Sequence, residues 1–150
     1  MEILPGVGVD EVRIGDARAD VELRVGLPVH PGDARRAVYA TSPGLVVDYT
    51  DDGTVELVQV AYGGHGDGDE AFLDGVQLTH RFLDDVVADL VARGHECTTS
   101  DVGVDFRAGF GLFSMGSVDP AELDPRADDD DEDRPVVEGV AIAPYSYLVS

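Results

Sequence analysis

The stretch that decides the fold is residues 78–94, LTHRFLDDVVADLVARG. Apolar side chains recur there every three or four residues and acidic side chains take the opposite side, so the spacing predicts an amphipathic helix with a broad apolar face. We expect Thr79 to cap its first turn and Gly94 to end it in a left-handed conformation. The apolar face has to be buried, and the short valine-rich runs before and after it are available to cover it.

A β-hairpin is the second element that the sequence predicts. Residues 45–49 and 55–62 are rich in valine, and Thr50-Asp51-Asp52-Gly53 separates them. An Asp-Gly pair between two β-branched runs is a strong hairpin signal. Further strands are expected in the second half, over residues 102–106, 110–115 and 136–142.

The two halves of the chain repeat the same order of elements. In each half a helix ending in glycine precedes strands of related sequence, Val47-Asp48-Tyr49 in the first and Val104-Asp105-Phe106 in the second. This order predicts an α+β protein of two related units, each with one helix packed on an antiparallel sheet. The units are residues 1–66 and 67–150, and the second carries an acidic insertion at residues 119–134. Chance is the alternative, because valine, aspartate and glycine are abundant throughout.

Both halves also resemble known proteins. The run 14–21, IGDARADV, with Val25-Gly26-Leu27-Pro28 and Asp52-Gly53-Thr54-Val55 after it, resembles the repeat unit of SmpA/BamE-like lipoproteins and of tandem-repeat β-lactamase-inhibitory proteins. The later stretch from Leu78 to Tyr147 is similar to small uncharacterised proteins among bacterial toxin-immunity factors. The resemblance implies a helix-plus-sheet repeat that acts by surface binding, and it transfers no catalytic residue. The chain departs from these proteins in lacking cysteine pairs and a lipoprotein cysteine near its start.

Acidity is the most prominent feature of the composition. The chain has 31 acidic and 10 basic residues, a net charge of −21, and every basic residue is arginine. So negative a chain is not expected to bind nucleic acid or an anionic membrane surface directly. Two interpretations are open: a surface that imitates a polyanion for a basic partner, or adaptation to a salt-accumulating organism, in which carboxylates keep surfaces hydrated. We favour salt adaptation, because the acidic residues are spread along the chain.

The sequence predicts a soluble, cytoplasmic protein. No apolar run approaches the ~18 residues needed to span a bilayer, and the first residues do not have the pattern of a signal peptide. Cys97 is the single cysteine, so no disulfide framework is expected. We expect this cysteine to be a half-buried apolar residue and not a reactive thiol.

The sequence contains no recognisable catalytic or nucleotide-binding motif, so we predict no catalytic residue and no cofactor. Weak candidates for a calcium or magnesium site lie in a glycine-rich connector, namely His65, Asp67, Asp69 and Glu70. Their spacing differs from that of an EF-hand, and a solvated linker is the alternative.

The candidate partner-binding residues are acidic or aromatic: Asp128, Asp129, Asp130, Asp131, Tyr145 and Tyr147. We therefore expect a non-enzymatic module that binds an unidentified protein, immunity-like or inhibitor-like in action. One alternative is a small-ligand-binding protein or enzyme with a pocket between helix and sheet. Another is a self-associating structural protein, and the sequence leaves the oligomeric state open.

Overall fold

The computed structural model describes residues 1–29, 35–41, 43–61, 70–116 and 134–149. The helices in these ranges are α1 (Arg18–Val25), α2 (Leu83–Ala92) and α3 (Tyr145–Leu148). The strands are β1 (Arg36–Tyr39), β2 (Gly44–Tyr49), β3 (Val55–Ala61), β4 (Phe72–Leu73), β5 (Val76–Gln77), β6 (Cys97–Thr99), β7 (Gly103–Phe106), β8 (Phe110–Phe113) and β9 (Gly139–Ile142). Over this part of the chain, no helix has both the length and the apolar character needed to traverse a membrane.

Seven strands form one antiparallel sheet in the order β1-β2-β3-β9-β8-β7-β6, and β4 and β5 form a separate small hairpin. The predicted hairpin is confirmed as β2 and β3. Its turn is closed by the amide of Thr50, which donates to the carbonyl of Thr54 over 2.8 Å. Gly53 has a φ of +81°, the left-handed conformation for which glycine is suited.

The cross-strand register places most of the apolar side chains on one face, here called the inner face. Facing positions on β2, β3, β9 and β8 form two apolar rows across the middle of the sheet. Their members are at most 1% exposed: Val47, Val58, Ile142 and Phe110 in one row, and Leu45, Val60, Val140 and Leu112 in the other. Alternation along each strand therefore sends the intervening residues to the opposite, outer face.

The inner face is covered by the N-terminal segment, α1, the β4–β5 hairpin and α2. Each gives buried apolar side chains to the same core as the sheet, among them Ile3, Val12, Val21, Leu73, Val86 and Leu90. Each buried side chain of this size contributes about 1.5–3 kcal/mol through the hydrophobic effect. The outer face has a thinner cover, which in the described part of the chain is α3 and its neighbouring residues.

The helix predicted over residues 78–94 is shorter than expected at its start. It begins at Leu83 with Phe82 as its N-cap residue, and no side chain caps it. The cap expected from Thr79 was wrong, because this buried residue donates its hydroxyl hydrogen to the carboxylate of Glu70. The predicted end was right, since Gly94 follows the helix with a φ of +95°.

Both halves of the chain belong to one continuous sheet, joined by the pairing of β3 with β9. In the first half α1 precedes the meander β1-β2-β3, and in the second half α2 precedes the meander β6-β7-β8-β9. Each meander ends with its last strand at the centre of the sheet. The predicted α+β class is confirmed, while the duplication of two units stays a prediction.

Candidate functional site

A groove of about 660 Å³ lies on the outer face of the sheet. Its floor crosses four adjacent strands, and α3 forms one side through Leu148. The other side and the rim come from the segments that flank β7 and β8. The residues that line it include Gln59, Ala141, Gly111, Asp105, Phe113, Val102, Met115 and Leu148.

The floor is a single row of residues in register. Gln59 of β3 faces Ala141 of β9, Ala141 faces Gly111 of β8, and Gly111 faces Asp105 of β7. Three steps between strands separate the two ends of the row, a span of roughly 14 Å. The small side chains in the middle leave a trough, so a polar side chain stands at each end of an otherwise apolar floor.

Asp105 is the ionisable group on this floor. Its carboxylate extends over Gly111 and occupies the space that a Cβ at position 111 would fill. No hydrogen bond or ion pair to the Asp105 carboxylate is present among the described residues, and burial raises the pKa of this carboxyl above the ordinary 3.8. The arrangement therefore holds a partly desolvated acid with its oxygens directed into the groove.

Tyr145 and Tyr147, two of the predicted partner-binding residues, lie in α3 on the same outer face. The hydroxyl of Tyr145 is 3.0 Å from the Oγ1 atom of Thr98, which faces Asp105 across the β6–β7 pair. Burial, followed by the negative charge of Glu56, raises the pKa of Tyr147. Tyr147 remains 39% exposed.

The predicted metal site is only partly within the described residues. His65, Asp67 and Asp69 lie outside them, whereas Glu70 is 4% exposed and its carboxylate accepts the hydroxyl of Thr79. The N-terminal ammonium group also donates to the backbone carbonyl of Glu70 over 2.8 Å. Glu70 thus ties the N-terminus to the segment before α2. The described ranges contain no group of three or more histidine, cysteine, aspartate or glutamate residues arranged to hold a metal ion.

The acidic run and the single cysteine are the remaining residues with a sequence-based expectation. Asp128, Asp129, Asp130 and Asp131 lie outside the described residues. Cys97 was expected to be half-buried, but it is exposed, because it lies on the edge strand β6 beyond the cover of the inner face.

Sequence reasoning did not single out Asp105 as a functional residue. A signal for it was present: alternation places an aspartate between Val104 and Phe106 on the face opposite to its apolar neighbours. What the sequence did not supply was the register that puts Gly111 and Ala141 beside it.

A solved structure shares this fold. The chain is similar to a DUF4309 family protein, YjgB, from Bacillus subtilis, with a TM-score of 0.52 and 18% sequence identity over 92% of this chain and 88% of that one. No family model matches the sequence, and no curated protein matches it either. At this identity the likeness shows the fold and carries no activity over to the groove.

Proposed function

We propose that this protein is a non-enzymatic binding module that receives a protein partner on the outer face of its sheet. The observation that carries the proposal is the groove, whose rim exposes large apolar side chains. Val102 is 47% exposed and Met115 is 69% exposed, and both line the same cavity. Neighbouring apolar side chains left in solvent at the edge of a concavity are typical of interaction sites.

The C-terminal residues favour a protein over a small molecule. Tyr147 and Val149 are 39% and 49% exposed, and they flank Leu148, which lines the groove. A small molecule held on the floor would leave these side chains in water, whereas a protein surface would cover them together with the rim. Tyrosine is among the residues that protein interfaces favour.

The proposal retains four expectations from the sequence. The resemblance to inhibitory and toxin-immunity proteins supports action through a surface, and the order of elements in the sheet is consistent with two duplicated units, residues 1–66 and 67–150. We also propose a cytoplasmic location. The acidic run at residues 128–131 belongs to the same proposal as a second contact for a basic partner.

Site-specific photo-crosslinking tests the proposal. A benzoylphenylalanine probe replaces Val102 at the groove, and a second protein carries it in place of Leu23, which is 86% exposed on α1 in the opposite layer. Both are incubated at the salt concentration of the source organism with its own extract. We expect a discrete crosslinked protein from position 102 only. Equal labelling from both positions, or none from position 102, would contradict the proposal.

A second candidate function is the binding of a small molecule in the groove. Its volume of about 660 Å³ falls within the range of roughly 300–1,000 Å³ that is common for ligand pockets. Thermal unfolding in the presence of a metabolite panel separates the two functions. A large, saturable stabilisation by one compound that Val102→Asp abolishes would favour the small ligand.

A further inference from the structure

Three features of the groove point to the chemistry of its occupant: an acid whose side chain has no partner in the described ranges, an apolar trough and an excess of negative charge. The carboxylate of Asp105 has no hydrogen-bonding or charged partner among the described residues. A carboxylate that is partly removed from water and left unpaired is unfavourable, and a cation or hydrogen-bond donor from outside would offset that cost. Within the described residues, one strong acceptor on the floor is thus left unused.

The trough next to this acid suits an aliphatic chain. Ala141 forms its base beside the Asp105 carboxylate, which lies over Gly111, and Phe113, Met115 and Leu148 form its sides. Phe113 is fixed in this position because its ring packs over Gly139, its partner on β9, where a Cβ would collide with it. A row of methylene groups can therefore lie on the floor in contact with carbon atoms on three sides.

The charge around the groove favours a cation. Its described lining residues include two carboxylates, Asp101 and Asp105, and no arginine or lysine. The whole chain carries a net charge of −21, so at low ionic strength its field attracts positive groups. Nearby arginines on the outer face are engaged elsewhere, as shown by Arg36, which donates to Asp48 over 2.7 and 3.1 Å.

We propose that the groove receives a lysine or arginine side chain of the partner protein, with its aliphatic stem on Ala141 and its charged head against the Asp105 carboxylate, which lies over Gly111. This inference rests on the proposed function, because it assigns chemistry to the same surface. Lysine and arginine combine a cationic head with an apolar stem, which matches the order of groups along the floor. Gln59, at the far end of the row, offers an amide to the backbone of the same segment.

The test uses short blocked peptides as probes. Acetyl-Ala-Lys-Ala-amide and the same peptide with norleucine in place of lysine differ only in the ammonium group. Each peptide is titrated into isotopically labelled protein. We expect the amide NMR signals of Gly111 and Ala141 to change their chemical shifts. We expect the lysine peptide to bind about tenfold more tightly, the ratio that corresponds to one modest charge-assisted hydrogen bond.

Two variants give the control. Asp105→Asn should remove the preference for the lysine peptide, whereas Asp20→Asn, which takes one charge from the exposed surface of α1, should retain it. Equal binding of the two peptides, or an unchanged preference in Asp105→Asn, would overturn the inference. Binding of n-butylammonium as tight as that of the lysine peptide would overturn it too, because the site would then recognise a free amine.

The outcome is separable from that of the proposed function. If the probe at position 102 captures a partner while the peptides show no dependence on charge, the binding surface stands and its assignment to a basic side chain fails. If no partner is captured but the lysine preference is present and depends on Asp105, the cation site stands without the protein-binding role.

Discussion

Gly111 makes room for Asp105, its partner on the neighbouring strand. The carboxylate of Asp105 lies over Gly111, and a Cβ on residue 111 would collide with this carboxylate. The atom that would be displaced is the end of a flexible side chain, so an added methyl group can push it aside at little cost. The glycine therefore determines where the acid lies and contributes little to stability.

Gly111→Ala is the first prediction. We expect the free energy of unfolding to stay within about 1 kcal/mol of wild type, since alanine is also favoured over glycine in a strand. The displaced carboxylate should become better solvated, which lowers the pKa of Asp105 toward its ordinary value. Carbon NMR titration of the carboxyl measures this pKa. Gly44→Ala is the matched control, because among the described residues a Cβ there meets only the carbonyl oxygen of Tyr39 at 3.9 Å. An unchanged pKa in Gly111→Ala would be contrary to this account.

The second prediction concerns the pH dependence of stability. Replacing an aspartate by asparagine should change the free energy of unfolding at pH 7 in opposite directions at two positions. Burial raises the pKa of Asp105, so ionisation in the folded state opposes folding, and this penalty grows as pH rises above the ordinary pKa of 3.8. Asp105→Asn should therefore be more stable than wild type at pH 7, and the difference should fade as pH falls below about 4.

Asp84 gives the contrast. The guanidinium of Arg134 donates to it over 2.8 and 3.1 Å and lowers its pKa. Its stabilising effect is present above the ordinary pKa and is lost as pH falls through the lowered one, so Asp84→Asn should be less stable at pH 7 and equal to wild type in strong acid. Urea unfolding at a series of pH values measures both differences. The same sign at pH 7 for both variants would refute the assignment.

The third prediction concerns a pair of tyrosines in the core. The hydroxyls of Tyr39 and Tyr49 lie 2.7 Å apart, and both residues are 1% exposed. Replacing either by phenylalanine leaves the other hydroxyl without this partner, at a cost of about 1–3 kcal/mol. The double replacement removes both polar groups and should cost less than the sum of the two single changes. A double-mutant cycle from urea unfolding tests this, and additive costs would show that the hydroxyls do not interact.

Much of the fold could be predicted because its signals are local. The Asp-Gly turn specified the β2–β3 hairpin, and Gly94 specified the end of α2. The start of α2 was missed because Thr79, a residue that suits an N-cap, makes a tertiary contact with Glu70 instead. The helical periodicity of the sequence does not reveal a contact between residues nine positions apart. The exposure of Cys97 was missed because an edge position follows from strand order and not from the strand's own sequence.

The candidate site was less predictable, because it depends on contacts between residues that are distant in the sequence. Tyr145 and Tyr147 stood out by residue type, and both lie on the outer face. The groove depends on the register of β3, β9, β8 and β7, which brings Gln59 and Asp105 into one row although they are 46 positions apart in the sequence numbering (105 − 59). The alternation of apolar and polar residues along a strand predicts which side chains face outward. The register between paired strands decides which residues lie beside them.

The fourth prediction concerns the close approach of β7 and β8. A Cβ on Gly103 would collide with the backbone carbonyl of Leu112, which cannot move without breaking the pairing of these strands. Gly103→Ala should therefore lower the free energy of unfolding by about 1–3 kcal/mol. Gly44→Ala again supplies the same chemical change in a strand with free space. Equal stability of these two variants would show that the strands can separate here at no cost.

The fifth prediction concerns salt. With a net charge of −21, like charges repel across the folded surface, and repulsion extends over about 10 Å at 0.1 M salt but only about 3 Å at 1 M. The free energy of unfolding should therefore rise steeply as potassium chloride increases from low to molar concentration, as measured by thermal unfolding. Sucrose at matched water activity is the control. It favours burial of apolar groups because it is excluded from the protein surface, and it does not screen charge. If sucrose stabilises the protein as much as the salt does, screening is not the cause. If the protein is equally stable at low and molar salt, its carboxylates are not an adaptation to salt, and the alternative of a surface that imitates a polyanion for a basic partner gains support.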